Sequence, residues 1–285
     1  MNLRRLCGAF GCAVLTVASV WAVPAEAAPV VFSDSGSTAF DIQDGVNAFR
    51  AALGDPNNAN SAGPLGSGRR EINWDGGGAT DGTAPATPFI VFQNTRGATF
   101  TTPGVGLTQA PITGGLLSLD LINPTYATTF ATFSPLRLFT PLGSNITDAA
   151  FFIPGTDGDV PATINGFGAV FTDVDLVGSA SLQFFNASDV SLGVFDVPVG
   201  TAADASLSFL GVTFDAGEQI GRVRITSGTT ALGPDDNPAG GIDVVVMDDV
   251  IYAEPQVAAV PEPSLLALLG IGLAGLGLAR RRTLS

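Results

Sequence analysis

The sequence predicts a mostly β protein: an antiparallel β-sandwich or jelly roll with one short N-terminal helix. Beyond Pro88, short runs of β-branched and aromatic residues alternate with Gly, Pro, Asn and Asp at intervals of roughly ten residues, a spacing typical of such sandwiches. The chain has 19 phenylalanines but only two tryptophans and two tyrosines, which suits a packed sheet interior. Between Asp41 and Leu53 the apolar residues follow a helical period instead.

The predicted helix covers residues 41–53. Asp41 is placed as its N-cap, and Gly54 is placed to end it. Its apolar residues recur every three or four positions and therefore share one face: Ile42, Val46, Phe49 and Leu53.

The predicted strands follow a loop over 55–70 that is rich in Asn, Gly, Ser and Pro. In the first strand, 71–75, Ile72 and Trp74 share one face, while Glu71 and Asp75 share the other. The later predicted strands cover 89–93, 98–102, 116–122, 136–140, 149–153, 169–172, 181–186, 192–197, 206–214, 220–226 and 242–252.

The first 27 residues have the layout of a secretory signal peptide. Two arginines precede an apolar stretch over 6–23, and Ala25 and Ala27 form an A-x-A cleavage site. We therefore expect export through the secretion translocon and cleavage by signal peptidase after residue 27. Both cysteines, Cys7 and Cys12, lie in the removed segment, so the mature chain has no disulfide or thiolate chemistry.

The composition of the mature body excludes several functions. Residues 28–259 contain seven arginines against 24 aspartates and glutamates, a net charge of −17, and no lysine or histidine. Such a surface repels phosphate backbones, so we predict no nucleic-acid partner. Without His, Cys or Lys, any catalysis is limited to Asp, Glu, Ser, Thr and Tyr.

The C-terminal segment combines a turn, an apolar run and a basic cluster. Pro261-Glu262-Pro263 precedes a nearly uncharged stretch over 264–279, which Arg280, Arg281 and Arg282 end. As a helix the stretch is ~24 Å long, somewhat short of the ~30 Å hydrocarbon core of a bilayer. The arginines favour the cytoplasmic side, which places the body outside the inner membrane.

This tail resembles the PEP-CTERM sorting signal of exported bacterial proteins, a type of tail also known as an ice-binding protein C-terminal domain. The resemblance implies processing by a membrane-embedded exosortase, with final delivery to the cell envelope or the exterior. We accordingly divide the chain into a signal peptide (1–27), an N-terminal extension with the helix (28–84), a β-sandwich domain (85–259) and a sorting signal with a transmembrane segment (260–285).

Four segments of the second half of the body, 166–171, 208–212, 220–225 and 247–250, lie within about 90 residues. Together they resemble galactose-binding-like jelly-roll modules. That family commonly binds carbohydrate or a structural calcium ion, and some of its members are only scaffolds. Sugar platforms usually need exposed Trp or Tyr, and the mature chain has only Trp74, Tyr126 and Tyr252.

Paired aspartates suggest a calcium site, because calcium prefers carboxylate and carbonyl oxygens on loops. Asp173 and Asp175 alternate with apolar neighbours and so share a face, where their charges repel without a cation. We predict Asp173, Asp175, Asp248 and Asp249 as calcium ligands. The alternative is that these acids are solvated turn formers. Two other acidic groups could also contribute calcium ligands: Asp157 with Asp159, and Asp235 with Asp236 and Asn237.

These features favour a non-enzymatic exported protein of the envelope or matrix, associated with exopolysaccharide or biofilm. Two alternatives stay open. One is a calcium-supported carbohydrate-binding module. The other is an extracellular glycosidase, for which Glu71 beside Trp74 is the one pairing that suggests a sugar site.

Overall fold

The structure, a computed structural model, describes residues 28–76, 81–215 and 217–258. The helices in these ranges are α1 Ala39–Leu53, α2 Gln93–Arg96 and α3 Tyr126–Thr129. The strands are β1 Val30–Gly36, β2 Arg69–Ile72, β3 Ala98–Thr101, β4 Gly106–Pro111, β5 Arg137–Leu142, β6 Ile146–Phe151, β7 Ala162–Thr163, β8 Gly166–Thr172, β9 Ser181–Asn186, β10 Ser191–Asp196, β11 Leu207–Thr213, β12 Ile220–Thr226, β13 Val246–Ala253 and β14 Gln256–Val257.

Two antiparallel sheets pack face to face, which confirms the predicted fold class. The larger sheet has the order β1-β11-β8-β13-β5-β4, with β2 also pairing with β13, and the smaller has the order β10-β9-β12-β6-β3. A two-stranded pair, β7 with β14, lies outside both. Phenylalanines from both sheets meet in the core between them, among them Phe167, Phe171 and Phe184.

The larger sheet is buried on both faces because α1 covers part of its outer side. Ile42, Val46 and Phe49 pack against side chains of β8, β11 and β13. Gly211 in β11 makes room for the ring of Phe49, since a Cβ at this position would lie 2.6 Å from a ring carbon. A smaller cluster around Tyr126 covers another part of the same face. Strands β8 and β13 are therefore buried at every residue.

Helix α1 begins at Ala39, two residues before the predicted start. Asp41 lies in the first turn, where its Oδ2 accepts hydrogen bonds from the backbone N–H of Thr38 at 2.9 Å and from its hydroxyl at 2.8 Å. The residue preceding the helix is thus Thr38, and Asp41 closes the capping box from within. The predicted end is confirmed, since the N–H of Gly54 donates to the carbonyl of Arg50.

Trp74 lies in the core rather than on a strand face. Strand β2 ends at Ile72, and Trp74 has φ +66°, which turns its indole inward. The indole stacks on Phe139 with 3.9 Å between ring centroids, and its Nε1 donates to the carbonyl of Asp248 at 2.6 Å. A second difference concerns 116–122, which forms a turn and a single 3-10 turn, Leu119–Leu121, instead of a strand.

Residues assigned to the N-terminal extension contribute strands to the larger sheet. Strand β1 pairs with β11, and β2 pairs with β13. On β2, Arg70 donates from Nε and Nη2 to Glu254 at 2.7 and 2.8 Å. The side chains of this ion pair are 0% and 1% exposed. The pair therefore ties the start of the body to the end of β13.

The predicted signal peptide and membrane segment lie outside the described residues. Within 28–76, 81–215 and 217–258, no helix has the length and apolar character needed to cross a bilayer.

We expect Glu254→Gln to lower the free energy of unfolding by about 3–5 kcal/mol, because it leaves the buried Arg70 charge uncompensated. Urea denaturation followed by Trp74 fluorescence measures the loss, since Trp74 is the one tryptophan outside the predicted signal peptide. Asp189→Asn is the control. Asp189 pairs with Arg222 at the surface, and its loss should cost less than about 1 kcal/mol. Equal effects of the two variants would contradict the proposed importance of the buried pair.

Candidate metal centre

Three aspartates from two distant parts of the chain meet at one end of the larger sheet. Asp173 directly follows β8 and has φ +68°, which turns the chain so that Asp175 lies nearby. Asp236 comes from the loop before β13, where its Oδ1 accepts the N–H of Val244 at 3.0 Å. One carboxylate oxygen from each of the three lies within 4.8 Å of the others.

Asp173 is the most unusual member of the group. Its side chain is 0% exposed, and neither carboxylate oxygen has a hydrogen-bond partner among the described residues. A buried carboxylate without a partner is costly, so it is expected to hold a proton or bind a cation. Burial, followed by the charge of Asp175, raises the pKa of Asp173 to about 9.

The surroundings of Asp173 are acidic throughout. Every neighbouring charge that shifts its pKa belongs to an aspartate: Asp175, Asp236, Asp204 and Asp243. Burial and these neighbours raise the pKa of Asp175 to about 6, and burial also raises that of Asp236. The site therefore gathers several carboxyl groups whose ionisation is opposed by burial and by one another.

Asp243 lies just before β13 and binds the backbone that carries Asp175. Its Oδ2 accepts the backbone N–H groups of Asp175 at 3.1 Å and Leu176 at 2.8 Å. Its Oδ1 is buried and has no partner in the described part of the chain. Asp243 thus fixes the backbone that carries Asp175 and leaves one more oxygen in the buried acidic cluster.

The geometry of the group fits a calcium ion. Calcium binds oxygens at about 2.3–2.6 Å, so two ligands of one ion lie at most about 4.6–5.2 Å apart. The 4.8 Å limit within the group meets that condition. All the donors are oxygens and the body has no histidine or cysteine, which favours a hard cation over zinc.

The structure brings two of the four predicted calcium ligands into this group and places the other two elsewhere. Asp248 and Asp249 lie within β13. Asp248 accepts the N–H groups of Phe133 at 2.6 Å and Ser134 at 3.3 Å, and Asp249 accepts the hydroxyl of Ser134 at 2.6 Å. Burial raises the pKa of both carboxyls. Their contacts hold the 133–134 loop against the strand.

Asp236 belongs to another acidic group in the sequence and is not among the four predicted ligands, and no sequence pattern singles out Asp204 or Asp243. The run around Asp236 is a visible acidic signal. Its distance from Asp173, however, is about 60 residues along the chain, and nothing local indicates that the two meet. Asp243 has no acidic neighbour in sequence, so it carries no comparable signal.

The pairing of Glu71 with Trp74 does not form a sugar site in the structure. Trp74 is fully buried. Glu71 accepts hydrogen bonds from Arg50 at 2.7 Å and from Arg69 at 2.7 Å, so its charge is compensated by two guanidinium groups.

Two sets of predicted residues lie outside the described ranges. They are the sorting residues Pro261, Glu262, Pro263 and Arg280–Arg282, and the cleavage residues Ala25 and Ala27. Comparison with known families identifies this tail. Residues 259–282 match the PEP-CTERM protein-sorting motif, which confirms the predicted resemblance. Comparisons with curated proteins and with solved structures found no match.

This motif implies an exported protein with a C-terminal membrane-anchoring tail, and it implies an exosortase as the processing partner.

The raised pKa values predict that the cation-free protein loses stability as the pH rises. An unfolded aspartate titrates near 3.9, whereas folded Asp173 keeps its proton up to about 9. Between these values the folded state binds more protons than the unfolded state, so Asp173 alone lowers the free energy of unfolding by about 1.4 kcal/mol per pH unit. Below the unfolded pKa this loss vanishes.

Urea denaturation in chelator between about pH 5 and 8 measures this slope. Asp173→Asn should reduce the slope by about 1.4 kcal/mol per pH unit, while the raised pKa values of Asp175, Asp248 and Asp249 keep the remainder. Asp157→Asn, at an exposed turn, should leave it unchanged. A slope that Asp173→Asn does not reduce would show that Asp173 is not the titrating group.

Proposed function

We propose that this protein is a non-enzymatic component of the cell envelope or extracellular matrix, associated there with exopolysaccharide or biofilm. The observation that carries the proposal is the PEP-CTERM motif at residues 259–282, which directly follows the β-sandwich in the sequence. A matrix component needs a stable folded body outside the cell and a route to reach it. The sandwich and the sorting signal supply these two requirements.

The contacts of the candidate catalytic residues support a non-enzymatic role. The glycosidase alternative depends on Glu71, and both of its oxygens are engaged by arginines. A general acid or nucleophile needs a carboxyl group that is free to reach substrate. Residues 28–258 also lack the His, Cys and Lys side chains that most hydrolytic sites use.

We further propose that the body binds one structural calcium ion through Asp173, Asp175 and Asp236. The ion would compensate the charge of the buried Asp173 carboxylate. Among the described residues, this carboxylate has no arginine partner. It would also join the turn after β8 to the loop before β13. Calcium is abundant outside the cell compared with the cytoplasm, so the site suits an exported protein.

The carbohydrate-binding alternative has weaker support. Binding on an aromatic platform needs exposed rings, and Trp74, Tyr126 and Tyr252 are all buried. Tyr252 also donates its hydroxyl hydrogen bond to the carbonyl of Arg96 at 2.9 Å. Calcium therefore acts in our proposal on the stability of the body rather than on sugar recognition.

We expect millimolar calcium to raise the melting temperature of the exported protein. At 1,000 times the dissociation constant, a ligand of the folded state adds about 4 kcal/mol, which for a body of this size corresponds to roughly 8–16 °C. Asp173→Asn with Asp236→Asn should abolish the rise. The matched control replaces another pair of aspartates, Asp157→Asn with Asp159→Asn, and should keep it. A melting temperature indifferent to both calcium and chelator would refute the metal site.

Replacing Pro261, Glu262 and Pro263 with alanine should leave the protein unshortened in the membrane fraction, because the exosortase no longer recognises its tail. The wild-type protein should be found in the envelope or matrix fraction and be released by enzymatic digestion of the exopolysaccharide. Blots of cell fractions measure both size and location. Alanines at Thr283, Leu284 and Ser285, beyond the matched motif, are the control. Normal processing of the first variant would refute its sorting role, and protein retained after digestion would refute the polysaccharide association.

A further inference from the structure

The last described residues before the sorting motif are bound to the folded body. Glu254 is fixed by Arg70 and also accepts the side-chain N–H of Asn58 at 2.9 Å. Beyond it, β14 pairs with β7, with Gln256 opposite Thr163 and Val257 opposite Ala162. The N–H of Ala258 donates to the carbonyl of Pro161 at 3.4 Å. Backbone hydrogen bonds to the body therefore fix the chain as far as residue 258.

The sorting motif begins at the very next residue. The match starts at 259, and Pro261 is the third residue after Ala258. Three extended residues span at most about 11 Å. An exosortase that holds Pro261 therefore works within that distance of the strands β7 and β14. Moreover, the backbone groups of 256–258 that pair with β7 and Pro161 are not free to pair with an enzyme.

Strand β14 is the weakly held part of this arrangement. It has only two paired residues, both exposed, and the side chain of Val257 is 56% exposed. A cavity of about 280 Å³, lined by Thr163, Gln256 and neighbouring residues, lies beside it. Short exposed segments with few buried contacts open at low cost in free energy. Opening should stop at Glu254, whose side chain is 1% exposed and ion-paired.

We propose that the exosortase needs the length of chain that β14 holds against the body: it displaces β14 from β7 and takes the chain from Pro255 through the motif as one extended segment. Glu254 is then the fixed end. Pro261 is the seventh residue after Glu254, so its reach from the body increases from about 11 Å to about 25 Å. The inference depends on the sorting motif but not on the calcium site or the matrix association.

A disulfide that locks β14 to β7 tests the proposal in cells carrying the full chain. Val257→Cys with Ala162→Cys places two cysteines directly opposite each other in an antiparallel pair, within disulfide range. The natural cysteines, Cys7 and Cys12, lie in the predicted signal peptide. The control disulfide, Val194→Cys with Gln183→Cys, joins opposite residues of β10 and β9, away from the tail.

We expect exosortase processing of the β14–β7 disulfide variant, followed by pulse-chase blotting, to be at least tenfold slower than that of the control disulfide variant. A thiol reductant should restore the rate. A third variant adds six Gly and Ser residues between 258 and 259 to the locked protein. This linker adds up to about 22 Å of reach, so it should restore processing without reduction.

Three outcomes would overturn the proposal. The first is equal processing of the two disulfide variants. The second is slow processing of the locked protein that neither the reductant nor the linker relieves, in a variant whose Trp74 fluorescence is that of the native fold. The third is rescue by the reductant but not by the linker. This result would show that exposure of β7 or contact of the body with the membrane, rather than reach of the chain, limits processing. Trp74 fluorescence of each purified variant verifies the fold independently.

Discussion

The complete burial of strand β13 is the constraint on which the rest of the structure depends. All eight of its residues are buried, and it pairs with β8, β5 and β2. A strand in this position tolerates charge only where a bulge or a neighbouring loop supplies partners, as Asp248 and Asp249 find in the 133–134 loop. Further charges come just beyond its ends, at Asp243 and Glu254. The candidate metal centre lies at the first end and the exit of the sorting tail at the second.

The buried carboxylates near the two ends of β13 differ in whether an arginine compensates their charge. Glu254 is compensated by an arginine, and Asp173 is not. The body has seven arginines for 24 acids. Five of them pair with Glu71, Glu254 and Asp148, and the remaining two, Arg96 and Arg137, donate to backbone carbonyls. Charge compensation for the Asp173 group must therefore come from protons or from a cation in the solvent.

The sequence predicted the sandwich because strand alternation and turn residues are local signals. It also predicted α1 and its end at Gly54, since helical spacing and a terminating glycine are both local. It failed at Trp74, at 116–122 and at 89–93, where Phe89 makes one isolated bridge to Phe100 and α2 begins at Gln93. Alternation placed Trp74 on a strand face, but a backbone with positive φ turns it into the core, where Phe139 and the Asp248 carbonyl stabilise it. The apolar residues at 116–122 match a strand pattern, but Leu119 is the only one of them that is buried in the core.

The sequence by itself determined the sorting signal, the acidic character and the absence of histidine, lysine and, in the body, cysteine, because these depend on residue order and composition alone. The tertiary structure decided which aspartates meet, which aromatic rings are withdrawn from solvent and how close to the body the tail is held. These properties follow from pairing between strands far apart in sequence. Pairing of this kind is fixed by burial of the whole sheet, and no local pattern records it.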